Sequence, residues 1–408
     1  MEERGMKIAS GISSLQNTRE MVGDLCAQIR DRMDGTPIDL LLLFVSSSLQ
    51  PVFDVVLKDL RSELHPRALL ACTAEGVLGV GQNEVAEDDP REVERQSAIS
   101  ALALSLPGVV IDTFHFGEDE WSELLLEEGG LSNRLDAGDN LRAFLLMGDP
   151  FTTPIVELLQ RFSSSFPRAP VIGAMASGMQ APGEVRLAVN QHIHSSGLVG
   201  VSLAGDLQVD CVVSQGCRPV GETVVITKAH RNVIEELNGK PALATVQEIL
   251  AELPLDDRLL VNTNGLHIGR VIDEGKGSYG RGDFLIRSVI QVDKDNGSIA
   301  IGDLARAGQT LQFHVRDAKT AQEDLRLLLE GELQLANAPV GAVLFSCAGR
   351  GTRLYDEPHR DILTAREILG PVPMAGFFGA GELGPVGQKN FIHSFTLSMA
   401  LFRSTTEG

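Results

Sequence analysis

Cys347 and Arg350 are the side chains whose types and spacing most directly suggest chemistry in this sequence. They stand in Cys347-Ala-Gly-Arg-Gly351, which follows the apolar run Val343-Leu-Phe345 and Ser346. A guanidinium can grip a carboxylate with two parallel hydrogen bonds, and a nearby Arg also lowers a thiol pKa. We therefore expect Arg350 to contact an anionic ligand. One alternative is that Cys347 is a buried thiol and Arg350 forms a structural salt bridge. The other is that Cys347 is a nucleophile, although the sequence does not indicate which His would activate it.

Histidine is the other residue type with ligand chemistry in this chain. His192 and His194 alternate in a strand-like run and share a face, but His-x-His without a third ligand is a weak metal pattern. His393, in Asn390-Phe-Ile-His393, is a candidate ligand contact or haem axial group, although a hydrogen-bonded structural role is commoner. We expect no metal and no cofactor, with haem on His393 as the alternative.

The run Gly379-Ala-Gly381-Glu-Leu-Gly384 matches a dinucleotide fingerprint only in its letters. That fingerprint needs a helix to begin at the glycines so that the helix N-terminus meets the pyrophosphate. In this sequence Pro385-Val-Gly387 follows instead. The nucleotide interpretation is therefore rejected.

Three segments that would position these side chains share one pattern of strand, helix and strand. Each pairs two short apolar runs, which are typical of strands buried on both faces, with a helical stretch that prolines end. The first strands are expected at 40–45, 143–147 and 343–345, the helices at 51–64, 153–162 and 358–368, and the second strands at 68–71, 171–172 and 374–378.

Ligands of such sheets lie beyond the carboxyl ends of the strands. Those ends carry small or polar residues, for which tight turns are the simpler explanation of any single loop. Three similar loops nevertheless favour a shared pocket, with Gly178 and Gly351 offering backbone N–H groups. The residues expected to bind ligand are Cys72, Thr73, Ser177, Gly178, Cys347, Arg350, Gly351, Glu382, Asn390 and His393.

Alternating runs elsewhere predict antiparallel hairpins. One would pair residues 198–203 with 209–213, and another would pair 285–292 with 299–301 through the turn Asp295-Asn-Gly-Ser298, a strong hairpin signal. Pro and Gly near 216–221 suggest a domain boundary. The sequence predicts an α/β fold with repeated strand-helix-strand units, mixed sheets, additional hairpins and two domains, 1–217 and 218–408.

The motifs taken together resemble the FIST family, in its N-terminal and C-terminal FIST domains. Ala71-Cys-Thr-Ala-Glu-Gly76 and Gly173-Ala-Met-Ala-Ser-Gly178 resemble the N-terminal domain. Three further segments resemble the C-terminal domain. They are Cys347-Ala-Gly-Arg-Gly351, Ala375-Gly-Phe-Phe-Gly-Ala-Gly-Glu-Leu-Gly-Pro385 and Asn390-Phe-Ile-His393 with Thr396.

This resemblance implies a bacterial sensory module that binds a small ligand, an amino acid or another carboxylate, in signal transduction. It implies a stand-alone sensor with a signalling protein as a second partner, and it supplies no catalytic residues. We expect a binding protein rather than an enzyme. The alternatives are a thiol-dependent enzyme that uses Cys347 or Cys72, and a haem-based nitric-oxide sensor.

Composition excludes several other classes of protein. The net charge of −20 over 408 residues disfavours nucleic acid and anionic membranes as partners, because both need clustered Lys and Arg. No run reaches the ~18–20 apolar residues of a membrane span. The five cysteines are scattered without a C-x-x-C pair, which favours reduced thiols in the cytoplasm.

Overall fold

The computed structural model describes residues 5–82, 88–135, 138, 140–334 and 337–405. The chain forms two compact units. The first is drawn from Met1–Val213, Leu325–Ile392 and Thr396–Gly408, and the second from Ser214–Asp324 with His393–Phe395. The expected boundary between residues 217 and 218 stays a prediction.

Strands outnumber helices in the part of the chain that precedes Cys217. The first stretch forms β1 (Lys7–Ser13), α1 (Thr18–Met33), β2 (Leu40–Ser46), α2 (Phe53–Leu64), β3 (Ala68–Ala74), β4 (Gly76–Gly81), β5 (Asp89–Glu94), β6 (Ile99–Ser105), β7 (Val109–Phe116), α3 (Trp121–Leu126) and α4 (Gly130–Arg134). The next forms β8 (Leu141–Gly148), α5 (Ile155–Ser165), β9 (Val171–Met175), β10 (Leu187–Val189), β11 (His192–His194), β12 (Leu198–Gly205) and β13 (Gln208–Gln215).

The remaining elements continue from Cys217. The second unit contains β14 (Cys217–His230), β15 (Val233–Leu237), β16 (Lys240–Pro241), α6 (Ala242–Glu252), α7 (Leu255–Asn264), β17 (His267–Val271), β18 (Phe284–Asp293), β19 (Ser298–Ile301) and β20 (Thr310–Arg316). Then follow α8 (Ala318–Glu332), β21 (Gly341–Cys347), α9 (Arg360–Leu369), β22 (Met374–Gly379), β23 (Glu382–Val386), β24 (Lys389–His393) and β25 (Thr396–Arg403).

The three predicted strand-helix-strand units are confirmed as β2-α2-β3, β8-α5-β9 and β21-α9-β22. The two strands of each unit pair in parallel. The helices form because apolar residues recur at helical spacing, as with Val56, Leu60 and Leu64, which α2 buries. The apolar face of each helix packs on one face of the sheet that contains its own two strands.

The three units lie in three different six-stranded sheets of the first compact unit, and the sheets repeat one arrangement. Their strand orders are β1-β6-β2-β3-β10-β11, β7-β12-β8-β9-β23-β24 and β13-β25-β21-β22-β4-β5. In each order the parallel pair occupies the two middle positions, and an antiparallel strand flanks it on each side. The sheets are therefore mixed, as predicted.

The sheets also exchange strands in a cycle. The chain leaves β3 to place β4 beside β22, leaves β22 to place β23 beside β9, and leaves β9 to place β10 beside β3. The residues after each second parallel strand must therefore cross to a neighbouring sheet. This crossing brings the carboxyl ends of strands from different sheets together.

The core of the first unit follows from strands that are buried on both faces. In β2, Leu40, Leu42 and Phe44 face a central cluster that all three sheets share, whereas the alternate residues face α1 and α2. Phe44 lies 5.2 Å from Phe377 between ring centroids in that cluster. The helices of the other two sheets cover equivalent outer clusters.

The second unit is built around one sheet with the order β14-β20-β17-β18-β19-β15-β16, in which β14 also pairs with β15. The hydrogen-bonded order thus returns to its first strand and encloses an apolar cluster that includes Ile234, Ile268 and Phe313. Helices α6 and α7 connect β16 to β17.

One of the two predicted hairpins is confirmed and the other is wrong. Strands β18 and β19 pair antiparallel through the predicted turn. Strands β12 and β13 are not neighbours in any sheet of the described residues: β12 lies between β8 and β7, and β13 lies beside β25. The reason is that β12 is buried along most of its length, so both of its edges need long partner strands, which β7 and β8 supply.

Candidate functional site

A pocket of about 400 Å³ opens where β2, β3 and β9 end in the first compact unit. Its lining residues follow directly after those strands or come from the loops beside them. They are Ser47, Ser48, Glu75, Arg95, Gln96, Gly178, Gln180 and Arg353. All of these residues except Gly178 carry polar or charged side chains, and the pocket lies at the edge of the sheets where the sequence places a ligand site. We call it the strand-end pocket.

Glu75 is the carboxylate of the strand-end pocket, and two guanidinium groups flank it. Arg353 donates to Glu75 over 2.5 and 2.9 Å, and Arg95 lies 3.8 Å from the same carboxylate. Hydrogen bonding to Glu75 raises the pKa of Arg353. Arg353 and Arg95 nevertheless keep 42% and 55% of their side chains exposed. These two cations are therefore accessible from solvent.

Ser177 and Gly178 hold the wall of the strand-end pocket. Ser177 Oγ accepts from the Glu75 backbone N–H over 2.8 Å and donates to the carbonyl of Phe378. Gly178 has φ +81, and a Cβ there would lie 2.6 Å from Ser47 Oγ. Only glycine fits that backbone and that space. Both residues therefore fix the position of Glu75, and their predicted ligand contacts stay predictions.

A short 3-10 turn at Gly351–Arg353 carries Arg353 to the rim of the pocket. Its residue Thr352 donates from the backbone N–H and from Oγ1 to the carboxylate of Glu94, over 2.8 and 2.9 Å. Glu94 ends β5 and Arg95 follows it. This double hydrogen bond ties the Arg353 turn to the segment that carries Arg95.

Arg350 lies behind this surface and is fully buried. Its guanidinium donates to both oxygens of Asp361 over 2.8 and 2.7 Å and to Tyr355 Oη over 2.8 Å. Burial alone would lower the pKa of Arg350, yet Asp361 raises it above its usual value. Burial alone would raise the pKa of Asp361, yet Arg350 holds it below its usual value. Asp361 thus makes the bidentate contact with Arg350 that we expected from a ligand carboxylate. The ligand role of Arg350 stays a prediction.

Two further carboxyl groups are buried near this ion pair. Glu382 Oε2 accepts from Thr396 Oγ1 over 2.8 Å, and Glu382 is also hydrogen-bonded to Cys347. Burial raises the pKa of Glu382 to about 8. Burial, and next Asp361, raise the pKa of Glu92. Cys347, Arg350 and Glu382 are thus brought together, but in the interior.

Comparison with known proteins identifies this architecture. Residues 39–240 match the FIST N domain and residues 242–385 match the FIST C domain. The chain belongs to the FIST family. An uncharacterized protein of Mycobacterium tuberculosis strain H37Rv is 38% identical over 399 residues, which are 97% of this chain and 100% of that protein. An uncharacterized protein of Mycobacterium bovis is 36% identical over 398 residues, 97% of this chain and 99% of that protein. FIST membership indicates a sensory role with a small ligand.

The other predicted ligand residues of this FIST protein are dispersed. Cys72 lies fully buried in the central cluster, where burial raises its thiol pKa. Thr73 Oγ1 accepts from the backbone N–H of Arg186 over 3.1 Å. Asn390 Oδ1 accepts from the N–H of Val171, over 2.9 Å, at the amino end of β9. Asn390 is therefore at the opposite end of that strand from Ser177.

His393 belongs to the second compact unit and is 1% exposed. Haem ligation would require this segment to open, and the haem alternative stays a prediction. His194 stacks on His115 with ring centroids 3.5 Å apart. Within the described ranges no group of three or more His, Cys, Asp or Glu side chains could hold a metal ion. No helix in those ranges is long and apolar enough to cross a membrane.

Sequence reasoning missed Glu75, Arg95 and Arg353, the charged residues of the strand-end pocket. A signal existed for Glu75, which comes one residue after β3. Arg353 follows Arg350 by three positions in the same loop. Arg95 carried no local signal, since β5 pairs with a strand that has crossed to another sheet.

Proposed function

We propose that this FIST protein is a sensor that binds a free amino acid, or a similar carboxylate, in the strand-end pocket. The observation that carries the proposal is the arrangement of Arg95, Glu75 and Arg353. A guanidinium is suited to a ligand carboxylate. When the guanidinium groups turn from Glu75 toward the ligand carboxylate, the Glu75 carboxylate becomes available to the ligand ammonium. The pocket thus offers both charges of a zwitterion within one small volume.

The remaining lining residues supply neutral hydrogen-bonding groups. Ser47 and Ser48 carry hydroxyls, and Gln96 and Gln180 carry amides. Such groups can contact a polar side chain of the ligand. The volume of about 400 Å³ is within the range of small-molecule sites. A polar amino acid therefore fits this pocket better than an apolar one.

The backbone at Arg95 supports a functional role for this residue. Arg95 has φ +55, a left-handed conformation that is uncommon outside glycine and asparagine. Strained backbone of this kind concentrates at binding and switch sites. A ligand that draws Arg95 toward its carboxylate would bias the β5 segment, which also holds Thr352 through Glu94. That segment is our candidate for passing the signal to a partner protein.

The cysteines support a reducing setting. None of the five cysteines forms a disulfide, as is usual for proteins of the cytoplasm. We therefore place the sensor, as part of the proposal, in the cytoplasm.

Isothermal titration calorimetry with single amino acids tests the proposal. Propionate, which lacks the ammonium, and ethylamine, which lacks the carboxylate, serve as ligand controls. Arg353→Gln should weaken binding of the responding amino acid about tenfold or more, because a charged hydrogen bond contributes ~1.5–3 kcal/mol. Glu75→Gln should reduce the preference for the amino acid over propionate.

Arg30→Gln is the matched control variant. Arg30 also forms a surface ion pair, with Glu63, and its side chain is 53% exposed. It does not line the strand-end pocket. Affinity that is unchanged in Arg353→Gln, or equally reduced in Arg30→Gln, would remove the strand-end pocket as the ligand site.

A further inference from the structure

A second pocket, of about 560 Å³, lies within the second compact unit. Its walls come from β14 and α6, and its ends from the turn at Asn238 and the residues Leu253, Pro254 and Asp257. We call it the β14–α6 pocket. All of its lining residues belong to the second unit, whereas those of the strand-end pocket belong to the first.

A bulge in β14 opens this pocket. The register of β14 against β20 shifts between Val220 and Val224, so the residues between them leave the ladder. Gly221 has φ +67, and a Cβ there would lie 2.9 Å from Ile249 of α6. Gln312 Nε2 donates to the Gly221 carbonyl over 2.7 Å. The bulge is thus fixed, and it directs Glu222 toward the pocket rim.

Helix α6 presents one stripe of side chains to the pocket. Thr245, Glu248, Ile249 and Glu252 all line it, at the spacing of one helical face. The floor is apolar and buried, with Val220, Val224 and Leu253 each 5–6% exposed. An apolar floor below a polar rim is the usual form of a small-molecule site.

Thr245 is the feature that points to a ligand. Its side chain lines the pocket and is only 6% exposed. Its Oγ1 has no hydrogen-bond partner among the described residues. A buried hydroxyl without a partner destabilises a protein, and such groups mark places where a partner is expected.

The charge of the rim selects the ligand. Glu222, Glu248, Glu252 and Asp257 line the pocket, with Arg218 as the cation among the lining residues. Arg218 is engaged by Asp257 and, over 2.9 Å, by Asp317. Glu248 is likewise engaged, because it accepts from Lys240 Nζ over 2.9 and 2.8 Å. Glu222 and Glu252 therefore set the charge of the rim beyond these ion pairs. A cationic ligand is favoured and an anionic one is disfavoured.

We infer that the β14–α6 pocket is a second binding site, and that it takes a linear aliphatic polyamine. The ammonium groups would contact the rim carboxylates of Glu222 and Glu252. The methylene segments between them would cover Val220, Val224 and Leu253. Thr245 Oγ1 is itself buried, so a rotation about χ1 would have to turn the hydroxyl toward the pocket. One ligand N–H would then donate to it and supply its missing partner.

Calorimetric titration of the full chain with spermidine tests this site. MgCl₂ at equal ionic strength and 1,8-octanediol are the comparison titrations, since one supplies charge without a chain and the other a chain without charge. We expect saturable binding of spermidine alone. Glu222→Gln/Glu252→Gln should weaken it at least tenfold. Asp256→Asn/Asp295→Asn, which removes two exposed acids of the same unit outside the pocket, should leave it unchanged.

Thr245→Val gives a signature that an acidic surface would not give. It should weaken spermidine binding several-fold and raise the melting temperature of the ligand-free protein, because an unpartnered buried hydroxyl is removed. Thr245→Ser should keep the wild-type affinity. The inference is overturned if Mg²⁺ displaces spermidine at equal ionic strength, if the Asp pair matters as much as the Glu pair, or if Thr245→Val binds as the wild type does.

Discussion

Two arginines three positions apart meet carboxylates in opposite surroundings. The Arg350–Asp361 pair is 0% and 1% exposed, and the Arg353–Glu75 pair is 42% and 24% exposed. Arg350 also donates to Tyr355, and Asp361 also accepts from Ser346. The first pair thus has its partners inside the fold, whereas the second keeps much of its surface toward solvent.

The difference shows why residue type alone does not locate a ligand site. A buried pair that loses one member leaves an uncompensated charge in the interior. A surface pair exchanges partners with water at little cost, so it can also exchange them with a ligand. The proposed ligand contact therefore rests on Arg353, and the ion pair of Arg350 has the surroundings of a structural one.

Arg350→Ala tests the buried Arg350–Asp361 pair and should have the largest effect on stability. It leaves Asp361 buried without its cation, which should lower the free energy of unfolding by about 3–5 kcal/mol. Urea denaturation, followed by circular dichroism, measures the change. Arg350→Met/Asp361→Leu should recover part of the loss, because neither charge remains. A loss below about 1 kcal/mol in Arg350→Ala would show that the pair is not a structural element.

Thiol reactivity extends the comparison to the cysteines. Burial raises the pKa of Cys72 and Cys211, and that of Cys26 to about 12. The thiolate is the reactive form, so iodoacetamide should label Cys72 at least about a hundredfold more slowly than free cysteine at pH 8. Mass spectrometry of the labelled protein assigns each site. Rapid labelling of Cys72 or Cys347 at pH 6 would instead favour the thiol-dependent enzyme.

Glu382 predicts how the buried polar cluster depends on pH. Its folded pKa is raised to about 8 by burial, above the unfolded value of about 4.3. Folding therefore favours the protonated form, and this contribution is full below pH ~4.3 and is lost as the pH rises through 8. One such carboxyl changes stability by up to ~1.4 kcal/mol per pH unit within that window.

Glu382→Gln is the matched variant for that pH dependence. A neutral amide of similar shape cannot ionise, so stability between pH 5 and pH 8 should fall less steeply than in the wild type. Chemical denaturation at a series of pH values measures both slopes. Equal slopes in the two proteins would mean that Glu382 does not retain its proton in the folded state.

Local patterns predicted most of the fold. The three strand-helix-strand units follow from apolar runs and helical spacing within about 40 residues each. These signals do not depend on residues that are distant in the sequence. The cyclic exchange that sends β4 to β22 and β10 to β3 depends on pairing between distant segments. The wrong hairpin at β12 has the same cause, since its true partners are β7 and β8.

The sequence points to the edge of the sheets where the strand-end pocket lies, but it does not point to the charged residues of that pocket. The strand ends do form a pocket, and Gly178 lines it. The sequence favours Arg350 because it follows β21, but its partner Asp361 lies eleven residues later, in α9. No local pattern shows which of Arg350 and Arg353 turns inward. Arg95 joins the site only because β5 pairs with β4, which has crossed to the sheet of β22, and no local pattern predicts that crossing.

The exposed Glu75–Arg353 pair should have the smallest effect on stability, in contrast to the buried Arg350–Asp361 pair. Glu75→Gln and Arg353→Gln should each change the free energy of unfolding by less than about 1 kcal/mol, the usual range for exposed pairs. The effect should shrink further in 0.5 M NaCl, because salt screens exposed charges. Urea denaturation at both salt concentrations measures it. A loss of 3 kcal/mol or more would place this pair with Arg350–Asp361 in the architecture, and an anionic ligand would then lack its proposed cation.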